Sequence, residues 1–464
     1  MATGVLVVSY GSRGASYVDA LSRSDSKVDI YIADKQRNPF NVEHVKVHKV
    51  VPDLKVDGIY DFAKEHKEKI DFCIVGPEGP IIDGVRDKLN ELGIETICPT
   101  REFALEGDKG AQRSILAECC PDTNPKFKIF DPKEQSKENV KKELYGWLDE
   151  LENRVAVKPV KPGFGKGVGV WGDHFKSREE VVEHFMSNFE HGPVIVEEKI
   201  DGEESSFQAF CDGKHLVPLP ETRDYKRAFE NDEGPNTGGM GSYKDAEEYL
   251  PFMSEKDRKK EIEIVEKLFK KLRGNGSNPG LRGIPFYVAF MHSADGPKIL
   301  EINSRGGDPE IINVMPVIDE DFVEICFRMI DGNLKNIRFK KKATVVTYKV
   351  PPTYGGFNKR FPERVKNDEI DTPVDLAKTY KIVEKNPDKL RVYTGSMELR
   401  GELTYTLKSR AVACVGIGNT IKEARENSLD GIKAISGGAL WNRNDIASEQ
   451  HLQKSINHMK KLRA

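Results

Sequence analysis

The chain has 464 residues, a formal net charge of −3, 32% charged and 38% hydrophobic residues. That length holds about three domains, and the balanced charge describes a globular protein and argues against a nucleic-acid binder, with Lys340-Lys341-Lys342 as solvated edge. The seven cysteines lack metal-ligand spacing or a paired framework and read as reduced thiols of a cytoplasmic protein, and neither a leader peptide nor a membrane span is expected.

The amino-terminal part alternates strand and helix. Apolar runs at 5–8, 28–33 and 72–75 read as strands. Ile59, Phe62 and Ala63 keep helical spacing between them, and a further helix carrying Val85, Leu89 and Leu92 stops at Gly93. The pattern predicts a doubly wound parallel sheet. Its first turn, Tyr10-Gly11-Ser12-Arg13-Gly14, with Asp34 about twenty residues on, lacks the full Gly-x-Gly-x-x-Gly fingerprint and so argues against dinucleotide binding.

Residues 155–170 give a lysine-bearing β-run, a glycine-rich turn and a second β-run. Gly163, Gly165, Gly167 and Gly169 allow close approach to anionic oxygens, and Lys158 and Lys166 add positive charge, which suits a flap over phosphates. It is not a Walker A loop, because Lys166 precedes Gly167 and Val168. The next helix waits for Ser177, which forms a capping box with Glu180. An apolar run at 194–196 then ends in the acids Glu197, Glu198, Glu203 and Glu204. The stretch 236–241, Asn-Thr-Gly-Gly-Met-Gly, is too glycine-rich for a stable helix or strand interior and reads as a loop with many free amides.

Near residue 300 a strand carries Glu301 and Asn303 two apart, hence on one face, with Arg305 following on the same period. A carboxylate and an amide oxygen on one face suit Mg²⁺, which takes few protein ligands beside phosphates and water; Arg305 is suited to a phosphate or carboxylate. Asp308 and Glu310 are natural partners for an ammonium. From about residue 339 the texture changes to β-runs and a Pro351-Pro352 turn before a helix from Thr420.

Together these segments resemble the ATP-grasp superfamily, in which ATP and Mg²⁺ lie between two lobes and a carboxylate is activated as an acyl phosphate. Val-Gly-Pro-Glu-Gly-Pro at 75–80, Leu-Glu-Gly-Asp-Lys at 105–109, Asp-Glu-Gly-Pro-Asn-Thr-Gly-Gly-Met-Gly-Ser-Tyr at 232–243 and Arg-Gly-Gly-Asp-Pro-Glu at 305–310 narrow the resemblance to the glycinamide ribonucleotide synthetase family. The resemblance implies an α/β chain of three parts: a doubly wound amino-terminal domain over 1–103, a two-lobed ATP-grasp domain over 104–336, and a small α+β carboxy-terminal domain over 337–464. It implies a ligase that joins glycine to 5-phosphoribosylamine with ATP and Mg²⁺, or Mn²⁺ in its place, as a monomer or homodimer. Lys109 and Lys158 are then the ATP lysines, with Gly163, Gly165, Lys166 and Gly167 in the flap. Adenine lies along Glu197, Glu198, Lys199 and Ile200, and the ribose hydroxyls go to Glu203, while Glu204 points away and is structural. Arg13, the backbone amides near Gly11 and Glu78 serve the ribose phosphate. Asp224, Lys226, Asn236, Thr237, Gly238, Gly239, Asp308 and Glu310 line the acyl and amine substrates, and Lys158, Arg305 and Asp308 are the catalytic groups. Ser409-Arg410 and the 443–446 run match late motifs of the family, and an ion pair tying the tail to the body explains them equally.

Three departures stand out. Gly14 and Ala15 replace the Glu-His that the family carries after the arginine, which opens the alternative of a different amine substrate. Tyr225 replaces a histidine. Ala289 stands where some relatives have an amide, leaving a second metal to water and phosphate oxygens. A catalytically silent nucleotide-binding regulator is the alternative from another class, against which the retained Lys109, Lys158, Glu301, Asn303 and Arg305 speak.

Overall fold

The structure is a computed structural model that describes residues 2–161, 167–365 and 372–464. The expected phosphate-flap residues Gly163, Gly165 and Lys166 lie outside that range.

The first strands are β1 (Thr3–Ser9), β2 (Val28–Asp34), β3 (Val47–Val50), β4 (Phe72–Val75) and β5 (Glu95–Ile97), all parallel in the order β3-β2-β1-β4-β5. Both faces of β1 are buried: Val5 and Val7 pack into one apolar cluster, Leu6 and Val8 into another. Burial on two sides explains why the strand reads as an unbroken apolar run and not an alternating one. The edge strands leave no apolar run: β3 reads Val-His-Lys-Val with half-exposed and exposed residues, and β5 has only three residues, the first exposed.

The next four strands, β6 (Phe127–Phe130), β7 (Val155–Pro159), β8 (Gly169–Val170) and β9 (Val194–Glu198), form an antiparallel sheet ordered β6-β9-β7-β8. Helices Lys137–Glu150 and Arg178–Phe189 cover it through Leu144, Trp147, Phe185 and Phe189. The capping box of Ser177 and Glu180 is present at the second of these. Chain order then gives β10 (Glu203–Cys211), β11 (Leu216–Pro218), β12 (Arg223–Asp224), β13 (Arg227–Phe229), β14 (Glu233–Asn236), β15 (Gly241–Lys244), β16 (Gly283–Ser293) and β17 (Gly296–Asn303). Of these, β11-β10-β16-β17 make the second lobe's sheet, backed by helix Glu255–Arg273.

The expected division at 336/337 is not where the sheets divide. Strands β12 and β15 join β18 (Ala343–Lys349), Val412–Gly418 and Leu390–Thr394 in one five-stranded sheet, with Ser242 opposite Val346. A 223–244 excursion from the middle of the chain therefore completes the carboxy-terminal sheet. The final helix, Glu449–Leu462, returns to the second lobe: His458 meets Glu203 at 2.7 Å, Ser455 accepts from Arg223 at 2.8 Å, and Arg463 just beyond the helix grips Asp257.

Candidate active site

Glu301 and Asn303 end β17 on one face, but a register slip intervenes. Ala289 pairs with Glu301 and Phe290 with Ile299, so Leu300 is left over as a β-bulge. Ile299 and Ile302 are both fully buried, three residues apart, because the bulge moves the core face by one residue. Without it, Glu301 would share the face of Ile299 and point into the core.

Helix Lys109–Cys119 is fitted to this strand. Lys109 Nζ lies 3.2 Å from Glu301 Oε2; Gln112 bonds both the N–H and the C=O of Ile302, at 3.0 and 2.7 Å. Lys109, opposed by burial and aided by Lys226 and Lys158, holds the Glu301 carboxyl well below the usual carboxylate range. Asn303, only 6% exposed, has no hydrogen-bond partner for its amide among the described residues. An ionised carboxylate beside an unspent amide oxygen is a hard donor pair that fits Mg²⁺. Ala289, opposite Glu301, offers no side-chain oxygen.

Lys158 reaches Glu197 and, at 3.4 Å, the carbonyl of Leu300. Burial pulls its pKa down against the pull of Glu197. Glu197 is itself buried and also grips Arg113, whose Nη2 lies 2.7 Å from it. The Glu197 side chain is thus an internal node between two cations, and its backbone sits inside the sheet between Phe127 of β6 and Ala156 of β7. Of the other hinge residues, Glu198 accepts from the Lys126 amide at 3.4 Å and Lys199 donates to the Trp171 carbonyl at 2.7 Å. Ile200 lies in the turn before β10. The Gly167 carbonyl is held by His184 and Asn188, fixing the base of the flap.

The placement of Glu203 and Glu204 is the reverse of the one expected. The two point to opposite faces of β10, as a strand requires, but Glu203 is buried with Arg223 at 2.6 Å and His458, on the side of the final helix. Glu204 is the one on the cleft side, 2.5 Å from Lys226 Nζ. Burial opposes charge on Lys226, yet Glu204, Asp224 and Glu301 together raise its pKa, which places this lysine among all three acids.

Arg13, expected at the ribose phosphate, is held by the protein on two sides. Its guanidinium donates to the Gly306 carbonyl at 2.6 Å and to Glu78 at 2.9 Å; Arg305 continues the chain, 3.6 Å from Glu78 and 3.1 Å from Glu106. Two carboxylates alternate with two guanidiniums across the junction of the first domain and the second lobe. Although burial opposes it, the pair Arg13 and Arg305 lowers the Glu78 pKa to about 2. What the turn leaves available is the start of helix Gly11–Ser22, which has no side-chain cap and no acid in its first turn. Gly11 has φ +74°, and a Cβ there would lie 3.5 Å from Asp308 Oδ2, so the turn abuts Asp308. At Gly14 a Cβ would fall 1.9 Å from Ser9 Oγ: the serine occupies the space that a side chain at 14 would need. Asp34, a residue suited by spacing to a dinucleotide ribose, is fully buried on Asn41 at 2.6 Å.

The glycine-rich loop between β14 and β15 corrects another expectation. Its amides are not free: Thr237 N–H goes to the Lys226 carbonyl, Gly238 to Tyr354 Oη, Gly239 to Thr237 Oγ1 and Met240 to the Tyr225 carbonyl. Asn236 is exposed at the end of β14, outside this bracing. Arg410 caps the loop from the carboxy-terminal sheet, donating to the carbonyls of Gly238, Gly239 and Asp308 and pairing with the Asp308 carboxylate at 3.3 Å. Tyr348 donates to the other Asp308 oxygen at 2.6 Å. Glu310 is buried and takes hydrogen bonds from Tyr287 and Ser206. The loop is a braced wall, and what it presents is Asp224: a Cβ on Gly239 would come 2.5 Å from Asp224 Oδ1, which has no hydrogen-bond partner.

Sequence reasoning missed Arg113, Glu106, Tyr348 and the loop-clamping role of Arg410. Arg113 left a local signal, four residues after Lys109 on the same helical face, and Glu106 and Arg410 lie inside the 105–109 and 409–410 motifs. Arg443 is fully buried on Asp445, Asp232 and the Arg227 carbonyl, tying the tail to the body.

Two lobes enclosing lysines and a strand-borne acid, behind a doubly wound domain, define an ATP-grasp protein. Family models agree: residues 3–106 match the phosphoribosylglycinamide synthetase N domain and residues 124–311 its ATP-grasp (A) domain. The chain is 36% identical over 462 residues to a phosphoribosylamine–glycine ligase of Methanocella arvoryzae, covering 99% of each, and 35% identical over 463 residues to that of Pyrococcus furiosus, covering 99% and 98%. It belongs to the phosphoribosylglycinamide synthetase family. In fold it is similar to the crystal structure of a Thermotoga maritima phosphoribosylamine–glycine ligase, with a TM-score of 0.73 at 21% identity, covering 96% of this chain and 100% of that one. It is also similar to the biotin carboxylase domain of a Hydrogenobacter thermophilus 2-oxoglutarate carboxylase in complex with MgADP, with a TM-score of 0.68 at 16% identity, covering 99% and 94%.

Proposed function

We propose that the chain is an ATP-dependent ligase that joins glycine to 5-phosphoribosylamine through glycyl phosphate, giving glycinamide ribonucleotide, ADP and phosphate in purine biosynthesis. The observation that carries the site assignment is one cluster of charges: Glu301 lies 3.2 Å from Lys109, and Lys226, paired with Glu204 at 2.5 Å, is held as a cation by Glu204, Asp224 and Glu301 together. Lys109 and Lys158 hold phosphate oxygens and neutralise charge that grows during phosphoryl transfer. Glu301 and Asn303 would hold Mg²⁺, or Mn²⁺ in its place, which when bound supplies charge neutralisation on the phosphates. Asp224, the acid without a donor, takes the ammonium of glycine, because Asp308 and Glu310 are already bonded to Tyr348, Arg410 and Tyr287. The amine of phosphoribosylamine enters by Asp308, beside the Gly11 turn, with its phosphate on the amides that open helix Gly11–Ser22. Arg305 fixes Glu78 and Glu106 behind this point, and the cleft's main contribution is placement.

Full-length similarity to the glycine ligases favours this reading over a different amine or a silent regulator. Among the described residues no helix is long and apolar enough to cross a membrane. The free state of all seven cysteines supports a cytoplasmic location. Glycine labelled with ¹⁸O in its carboxylate tests the mechanism: label appears in released phosphate when ATP, Mg²⁺ and phosphoribosylamine are present. Product without ¹⁸O in phosphate sinks the acyl-phosphate route, and efficient turnover only with another amino acid sinks the substrate.

A further inference from the structure

Arg113 plays no part in the reading above, yet it is buried against the strand that bears Glu301. Its Nη1 donates to the Ile299 carbonyl at 2.9 Å and its Nη2 to the Leu300 carbonyl at 2.7 Å. Successive carbonyls of a regular strand point to opposite edges. Here two in a row converge on one guanidinium, which is possible only because Leu300 is the bulged residue. The fork is fixed from behind: Nε meets Glu197 Oε2 at 2.9 Å, and Asn124 Oδ1 accepts from Nη1 at 3.1 Å. Gln112, next to it on the helix, seals the residue after Glu301 by bonding both backbone groups of Ile302.

We infer that Arg113 is a positioning residue for the metal-bearing strand: it holds the bulge that turns Glu301 from the core to the phosphate face. A planar fork with donors on several nitrogens can satisfy two carbonyls and a carboxylate together, which a lysine ammonium at one point cannot. The inference rests on the assignment of Glu301 as a metal ligand. Glu197, the carboxylate that orients Arg113, also receives Lys158, so one buried acid couples the strand's register to a phosphate lysine.

The test is Mn²⁺ binding, read by electron paramagnetic resonance with ADP present, beside ADP binding without metal. Because Arg113→Met alone leaves Glu197 short of a partner, the variant used is the double R113M/E197Q, with E197Q alone, which keeps both Arg113 hydrogen bonds to the Ile299 and Leu300 carbonyls, as reference. The double variant is expected to bind Mn²⁺ at least tenfold more weakly than E197Q while metal-free ADP binding stays within threefold. Equal losses in both would mean general damage and overturn the inference, as would Mn²⁺ binding within threefold of the reference. Glu301→Gln separates the two levels: normal Mn²⁺ binding in that variant removes the metal assignment itself, whereas its loss there with retention in R113M/E197Q removes only the role of Arg113.

Discussion

Replacing Asp224 by Asn keeps the shape of the side chain and removes one negative charge from the cleft wall. The carboxylate receives no hydrogen bond among the described residues, and burial followed by Glu310 pushes its pKa well above the ordinary range, against Lys226 and Arg410. Two effects of opposite sign follow. An acid whose folded pKa is raised destabilises the fold once ionised, so the cost grows as pH rises from about 4 through the folded value and then stays. The Asn variant has no charge to acquire, and at pH 7 should be the more stable, by about 1.4 kcal/mol for each tenfold difference in proton affinity between the folded and unfolded carboxyl, with the gain vanishing toward pH ~4. The same change deletes the partner of the glycine ammonium. Losing one hydrogen bond to a charged group, about 1.5–3 kcal/mol, corresponds to a fall of roughly 10- to 150-fold in kcat/KM for glycine. Urea unfolding and an ADP-release assay with glycine varied at saturating ATP read the two effects; the wild-type kcat/KM for glycine should also rise with pH through the Asp224 pKa, a limb the variant lacks. Glycine kinetics within threefold of wild type, or an equal loss of affinity for ATP, would refute the ammonium assignment.

Glu301→Gln should abolish turnover with native circular dichroism, since it removes the metal ligand's charge at constant shape; wild-type activity in a folded variant discards the assignment. Lys158→Ala should lower kcat by about 2–4 kcal/mol of lost charge stabilisation while the fold survives, because Arg113 still neutralises Glu197; steady-state kinetics in which only the KM for ATP rises would make Lys158 a uniform binder. At Asp445, burial is outweighed by His451 and Arg443, so the folded pKa is depressed and its stabilisation is present above about pH 4 and lost as pH falls below it. Asp445→Asn should therefore destabilise by about 1.5–3 kcal/mol at pH 7 and by progressively less in acid, as unfolding at the two pH values will show.

The two-residue period places Glu301 and Asn303 on one face, and they share it, yet no period reveals that the strand first slips at Leu300. The slip depends on Arg113, nearly 190 residues upstream. Glu203 and Glu204 show the same limit: alternation separates them, but which face looks into the cleft is set by where Arg223 and the final helix land. Free amides in the 236–241 loop follow from glycine content alone, whereas the partners that consume them, Tyr354 and the Lys226 carbonyl, are brought by topology. The doubly wound sheet was legible because its central strands β1, β2 and β4 are buried on both sides. The excursion of β12 and β15 into the carboxy-terminal sheet was not, since Arg-Asp and Gly-Ser-Tyr-Lys carry no apolar run.

That excursion also sets an order of events during synthesis. Gly241–Lys244 leaves the ribosome about a hundred residues before its neighbour Ala343–Lys349, and Val412–Gly418 follows later still. Until then the strand beside the glycine-rich wall has an open edge, the kind of surface that pairs wrongly with other chains. The nascent protein thus depends on its last quarter to close its own cleft, and a chain stalled before residue 343 would hold both nucleotide lobes but neither the fixed wall that carries Asp224 nor the Arg410 clamp.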